Sequence, residues 1–167
     1  MGSSSTGRQH VASMGAIHAA FVAGTYENWA ATCDALVSQK HLSSSDALQC
    51  RQILQFGRLI GNTDMHSGNA SLYARGATLK DVLKGRFQLT PVYDMLPMRW
   101  RPDPMVGTLD YELFDVDVSK ADEVARVAAK DFWMSLSAHA LVSQALREIA
   151  REMAGRIGVV ERRGPEG

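Results

Sequence analysis

A mainly helical domain of the α+β class, with about five helices around one core and a small β-hairpin, is what this sequence predicts. Three observations lead there. Apolar residues recur at three- and four-residue spacing along most of the chain, the period of a helix with one buried face. Only two short runs, at 70–73 and 86–90, alternate as half-buried strands do. Just before the first of them, the stretch from Gly61 to Leu72 holds polar side chains and two glycines, too little apolar surface to make core.

The elements follow in order. Ser13 caps a first helix through Ala16, Ile17, Ala20 and Phe21, and Gly24 ends it. His10 and His18 read as surface or half-buried residues. Thr25 caps the second helix, whose Trp29, Cys33, Leu36 and Val37 form one apolar face and belong to the core. Ser44 or Ser45 opens the third. It buries Leu48, Cys50, Ile53, Leu54, Gly57 and Ile60, leaves Arg51 and Arg58 on a solvated face, and delivers the chain into the polar loop.

The two strands pair as a hairpin whose long connection, 74–85, has room for a turn of helix. That pairing brings Asn69 and Pro91 to the same end and Asp94 near Asn69. Three prolines between Pro97 and Pro104 exclude regular structure there. This stretch reads as a surface loop pinned by Trp100, with Arg99 and Arg101 available to a phosphate or peptide. Ser119 or Lys120 starts a long helix with Asp122 and Glu123 in its first turn, where they suit the dipole. Val124, Val127, Ala128 and Trp133 read as its buried side, and Phe132 with Trp133 as packing. Ser137 caps the last helix, striped by Val142, Ala145, Ile149, Met153 and Ile157. Its wet face carries Arg147, Glu148, Arg151 and Glu152, with a weak pair between Glu148 and Arg151. Residues 1–6 read as a leader, 7–157 as the domain and 158–167 as a tail.

Composition narrows the function classes. At 167 residues the chain is one domain by length. Eighteen basic and eighteen acidic residues cancel, so no broad field favours nucleic acid or an anionic membrane. Cys33 and Cys50 are too few for a disulfide framework and read as buried free thiols, which fits a cytoplasmic location. No apolar run approaches the ~18 residues of a membrane span, and the start lacks the regions of a signal peptide.

The polar loop carries the chemistry. Asp64 and Asn69 stand five apart, as do the Asp and Asn of the protein-kinase loop H-R-D-x-x-x-x-N. There the Asp accepts the proton of the attacking hydroxyl and the Asn binds magnesium. A further Asp on the next strand-turn holds magnesium against the phosphates. Asp94, after the second strand, suits that role. His66 suits either a phosphate contact or a hydrogen bond that ties the loop down. Asn62 reads as a brace and Tyr93 as core with its hydroxyl tied to the loop.

The wider string is more specific. Leu59-Ile-Gly-Asn-Thr-Asp64-Met-His-Ser-Gly-Asn69, followed by Leu89-Thr-Pro-Val-Tyr-Asp94-Met-Leu96, resembles the HipA-like serine/threonine kinases of bacteria. Gly7 to Ser13 resembles the segment that opens that family's helical lobe. The resemblance runs from about 7 to 157. It implies a protein-kinase-like C-terminal lobe with Asp64 as base and Asn69 and Asp94 on magnesium; His66, two beyond the base, takes the slot where many kinases put a lysine that contacts the ATP phosphates. The resemblance places 97–117 where a kinase carries its activation or substrate-binding segment. It implies a serine/threonine protein substrate and, in many members, a toxin paired with a helix-turn-helix antitoxin of HipB type, through which DNA is reached indirectly. Gly68 departs from the Lys that members often carry there. The sequence holds no G-x-G-x-x-G lid and no V-A-I-K-like strand, so the lobe is expected without its N-terminal partner.

Two other classes fit the residues. One is a metal-dependent hydrolase using Asp64, His66 and Asp94 as ligands. The other is a non-catalytic, kinase-like domain that only binds a protein partner.

Overall fold

The computed structural model describes residues 10–76, 79–107, 113–114 and 116–158. The expected leader, nearly all of the tail and part of the 97–117 segment lie outside the described residues. The chain divides into two compact units. The first comprises Met1–Arg51 and Met65–Asp94, the second Gln52–Asp64 and Met95–Gly167.

The first unit holds a three-stranded antiparallel sheet in the order β1-β2-β3, with β1 His10–Ser13, β2 Ser71–Ala74 and β3 Phe87–Leu89. The expected hairpin is β2 with β3, in a register that sets Leu72 opposite Leu89 and Ala74 opposite Phe87. Its connection holds the short helix α4, Leu79–Leu83. Strand β1 is an addition, setting Ser13 opposite Ser71 and His10 opposite Ala74. Four residues leave little alternation to read, and Ser13 serves twice, as the last strand residue and as the cap of the next helix.

Helix α1, Met14–Phe21, starts where expected, with the Ser13 hydroxyl accepting from the Ala16 amide at 3.3 Å. It ends at Phe21 rather than Gly24, because Val22 is already extended. His18 departs from its expected exposure. Only 8 % exposed, it is bonded to the Thr32 hydroxyl at 3.0 Å and to the Gly24 carbonyl at 3.2 Å. Helix α2, Trp29–Ser38, buries Trp29, Cys33 and Leu36 as expected. Its cap is Asn28 rather than Thr25, with Asn28 Oδ1 accepting from the Ala31 amide at 3.0 Å. Helix α3, Ser44–Leu59, is capped one residue earlier than expected. Ser43 Oγ accepts from the Asp46 amide and donates to its carboxylate. In this unit α3 buries Ala47 and Cys50, and Leu48 is 49 % exposed, a correction to the expected face. Position 48 sits about 100° around the helix from 47, off the stripe.

Beneath α1 and α2 lies a small buried polar group. The Tyr26 ring meets His18 edge-on at 5.3 Å, and its hydroxyl is buried without a hydrogen-bond partner. Burial, with the nearby Cys50 and Cys33, pushes its pKa up to about 12. Both cysteines are buried free thiols, and Cys33 is pushed up by its hydrogen bond with Cys50 and by burial. Because the folded Tyr26 holds its proton more tightly than the unfolded one, its contribution is fully present below pH 10 and fades as pH rises towards 12. Tyr26→Phe is expected to flatten that alkaline loss and, by removing an unpartnered polar atom, to leave neutral-pH stability unchanged or about 1 kcal/mol higher. Urea unfolding at pH 8 and pH 11 checks both.

In the second unit, α5, Glu123–Ala138, packs on α6, Gln144–Gly158. They enclose a core of Leu59, Ile60, Trp100, Ala125, Ala129, Trp133, Ile149, Ala150, Met153, Ala154 and Ile157. Trp100 is thus the buried pin expected of its loop, and Phe132 and Trp133 are packing, their rings 5.2 Å apart. Arg99 lies over the Phe114 ring at 5.0 Å. Three expectations are corrected. Helix α5 is capped by Asp122, whose carboxylate accepts from the Val124 amide, while Val118–Lys120 is a separate 3-10 turn. Its buried face runs through Ala125, Ala129 and Trp133, so Val124 and Val127 are exposed, and so is Ala128. The face combines two alanines with Trp133, all within the core shared with α6. Helix α6 is capped by Ser143, not Ser137, which donates within α5 to the Met134 carbonyl. Glu148 accepts from Gln144 at 3.0 Å, and the ion pair falls to Arg156 with Glu152 at 3.5 Å. Among the described residues, no helix is long and apolar enough to cross a membrane.

Candidate functional site

The candidate residues fall on both sides of the division between the units, which lies at the Asp64–Met65 bond.

In the second unit, α3 ends in a Schellman turn. The Asn62 amide donates to the Gly57 carbonyl at 2.9 Å and the Gly61 amide to Arg58 at 3.2 Å. Gly61 takes φ +71°, and a β-carbon there would lie 3.0 Å from the Trp100 ring and 3.1 Å from Phe114. Two aromatic anchors fix this end. The Trp133 indole donates to the Leu59 carbonyl at 3.2 Å, and the Arg99 amide donates to the Gly61 carbonyl at 3.0 Å just before Trp100. Asn62 is 5 % exposed and acts as the expected brace. Its Oδ1 accepts from the Asp64 amide at 2.8 Å, and its Nδ2 donates to Met95 Sδ at 3.6 Å. This Asx turn presents Asp64 with its side chain exposed.

In the first unit, the His66 carbonyl accepts from the Asn69 amide at 3.1 Å, closing a turn. The same carbonyl accepts from the Trp29 indole at 2.9 Å. The His66 ring takes a loop-tying bond. Its Nδ1 accepts from the Gly68 amide at 2.9 Å, which places the ring proton on Nε2. A β-carbon on Gly68 would lie 2.7 Å from that ring, so His66 and Gly68 are coupled choices.

The hairpin brings the turn holding Tyr93 and Asp94 back to this loop. The Tyr93 hydroxyl donates to the Gly68 carbonyl at 2.9 Å, and the Ser71 hydroxyl then donates to the phenolic oxygen at 2.8 Å. The neighbour of Asp94 is thereby tied to the neighbour of Asn69. Tyr93 is 42 % exposed, a correction to its expected place in the core, although its hydroxyl is tied as expected. Asp94 sits at φ +54°, a left-handed conformation that few residues other than glycine and asparagine adopt cheaply.

Two contributors escaped the sequence reading. Ser71 is an ordinary strand residue by pattern. Trp29 reads as core, and its only signal is chemical, because a buried indole N–H must find an acceptor. Among the described residues, no three His, Cys, Asp or Glu side chains gather as metal ligands would. The hydrolase reading draws no support from them.

Over residues 5–159 the chain matches the family model described as the HipA-like C-terminal domain. It is similar to Toxin YjjJ of Escherichia coli (strain K12), with 33% identity over 159 residues that cover 93% of this chain and 34% of that protein. The chain therefore spans about a third of the length of the curated relative it matches. No solved structure matches it.

Proposed function

This chain belongs to the family of HipA-like C-terminal domains, and we propose that it supplies the catalytic lobe of a serine/threonine kinase, moving the γ-phosphate of ATP to a protein hydroxyl. The observation that carries this reading is the Tyr93 tie, which joins the turns bearing Asn69 and Asp94. It is what the kinase motif needs if an Asn and an Asp from separate stretches act on one ligand.

Magnesium suits the residues present, because the Asn69 amide oxygen and the Asp94 carboxylate are hard oxygen donors and a magnesium ion keeps other positions for phosphate and water. Bound there, it would supply positive charge to offset that of the phosphates. Asp64 takes the proton of the serine or threonine hydroxyl as that oxygen bonds to the γ-phosphorus and the bond to ADP breaks. The rate comes from positioning and electrostatics, which rigid loops supply. His66 ties the loop through Nδ1, and in this reading its ring stands two residues beyond the base, where a phosphate contact would fall. The lid and strand lysine that cover ATP belong, in this reading, to a further lobe. A protein substrate and a HipB-type helix-turn-helix antitoxin, the route to DNA, are the partners it proposes.

Asp94→Asn tests the metal role cleanly, because Asn tolerates the left-handed backbone while losing the charge. Mg-ATP affinity at limiting magnesium is expected to fall about tenfold or more, the scale of a lost charged contact. An unchanged affinity would overturn the assignment.

A further inference from the structure

The candidate loop is held from an unexpected quarter. Helix α1 begins within the first unit, directly after strand β1, and its first two amides are spent on the loop. The Met14 amide donates to the Ala70 carbonyl at 2.8 Å and the Gly15 amide to the Ser67 carbonyl at 3.0 Å. The opening N–H groups of a helix have no partner within it. Here they are satisfied by a segment more than fifty positions away. With Trp29 on the His66 carbonyl and Tyr93 on the Gly68 carbonyl, four carbonyls of residues 66–70 are held by donors from three distant stretches.

The close approach has a steric condition. A β-carbon on Gly15 would lie 2.7 Å from Ser67 Oγ, closer than real β-carbons stand without movement, and 3.1 Å from Ser67 Cβ, tighter than most of them show. Gly15 is otherwise a poor choice, because glycine weakens a helix relative to alanine. Its φ is not among the positive ones, so no left-handed turn requires it. What requires it is the space for the loop.

We propose that Gly15 is a positioning residue for the loop of His66 and Asn69: its missing side chain lets the start of α1 close on Ser67 and Ala70. The inference rests on the kinase reading only for its consequence. The positioning is independent of it.

The test uses three variants of the chain: Gly15→Ala, Ser67→Gly and the two combined. Alanine is the better helix former, so a merely local effect on α1 leaves the unfolding midpoint unchanged or raised. Positioning predicts a different signature, read by amide hydrogen exchange. Exchange at position 15 and Asn69 becomes about five- to tenfold faster in Gly15→Ala, the scale of one weakened backbone bond. The double variant, which removes the atoms that a β-carbon would meet, returns to within about twofold of Ser67→Gly alone. Unchanged exchange in Gly15→Ala, or a double variant that stays as fast as Gly15→Ala, would overturn the proposal. A titration with Mg-ATP separates the two readings. If the parent chain joined to its ATP-covering lobe binds no Mg-ATP, the kinase reading fails while the exchange result still decides the role of Gly15.

Discussion

Replacing Asp64 with alanine is expected to abolish phosphoryl transfer, a loss of about a hundred- to ten-thousand-fold for the base's share of the barrier, and to leave unfolding unchanged. Both halves follow from how the residue is held. The Asx bond from Asn62 reaches the Asp64 main-chain amide, which alanine keeps. The side chain is exposed, so its removal opens no cavity. In the kinase reading, loss of the carboxylate removes the proton acceptor while the Asx bond to the main-chain amide stays. The measurement is transfer of labelled γ-phosphate to protein, in a polypeptide that joins this domain to an ATP-covering lobe, alongside urea unfolding of the same variant. Asn62→Ala should give the opposite pattern. It removes a buried brace with two bonds, costing about 1–3 kcal/mol, and lowers activity only as far as Asp64 loses its position.

Trp133→Ala is expected to have the largest effect on stability, about 3–5 kcal/mol from truncation of a buried aromatic. Trp133 is 0 % exposed and packs edge-on against Trp100 at 5.2 Å, and its indole donates to the Leu59 carbonyl. Alanine would leave a cavity between α5 and the end of α3 and deprive a buried carbonyl of its donor. Trp133→Phe keeps most of the volume and loses the bond, so it should cost about 1–2 kcal/mol. Because Trp100 and Leu59 flank the Schellman turn at Gly61, the alanine variant should also loosen the approach to Asp64. Urea midpoints order the variants, and equal midpoints for Trp133→Ala and Trp133→Phe would show that volume at this site counts for little.

Much of this was legible in the residues. The helix-spaced apolar runs gave the long helices, and the alternation at 70–73 and 86–90 gave the hairpin. The length of its connection gave the extra helical turn. Most helix starts were legible to within a few residues, but the start of α6 was placed six residues early and several caps were misassigned. Asn28, Ser43 and Ser143 each cap by accepting from the amide three residues on, whereas Ser137, six residues before Ser143, lies inside α5. The face of α5 misled for another reason. Hydrophobicity favours Val124 and Val127, whereas the buried positions are Ala125 and Ala129, on the same face as Trp133. His18 was missed because a polar residue on an apolar helix gives no sign of distant partners such as Thr32.

The site divides in the same way. The residues proposed to carry the chemistry lie in two short strings, and the resemblance of those strings points to them. What holds them is non-local: Trp29, Ser71 and the first amides of α1 meet the loop through tertiary structure. Backbone amides have no sequence signature, and neither does the absence of a β-carbon at Gly15. Asp94 shows both aspects, since its identity is legible in the motif and its left-handed backbone is not.

The most direct test of the account is a titration of Mg-ATP followed by backbone NMR shifts, in the polypeptide that pairs this domain with an ATP-covering lobe, with Asp94→Asn as the control. Magnesium-dependent shifts are expected to concentrate at Asp64–Asn69 and at Asp94 and to be lost in the variant. Shifts that gather elsewhere, or that survive Asp94→Asn undiminished, would contradict the kinase reading.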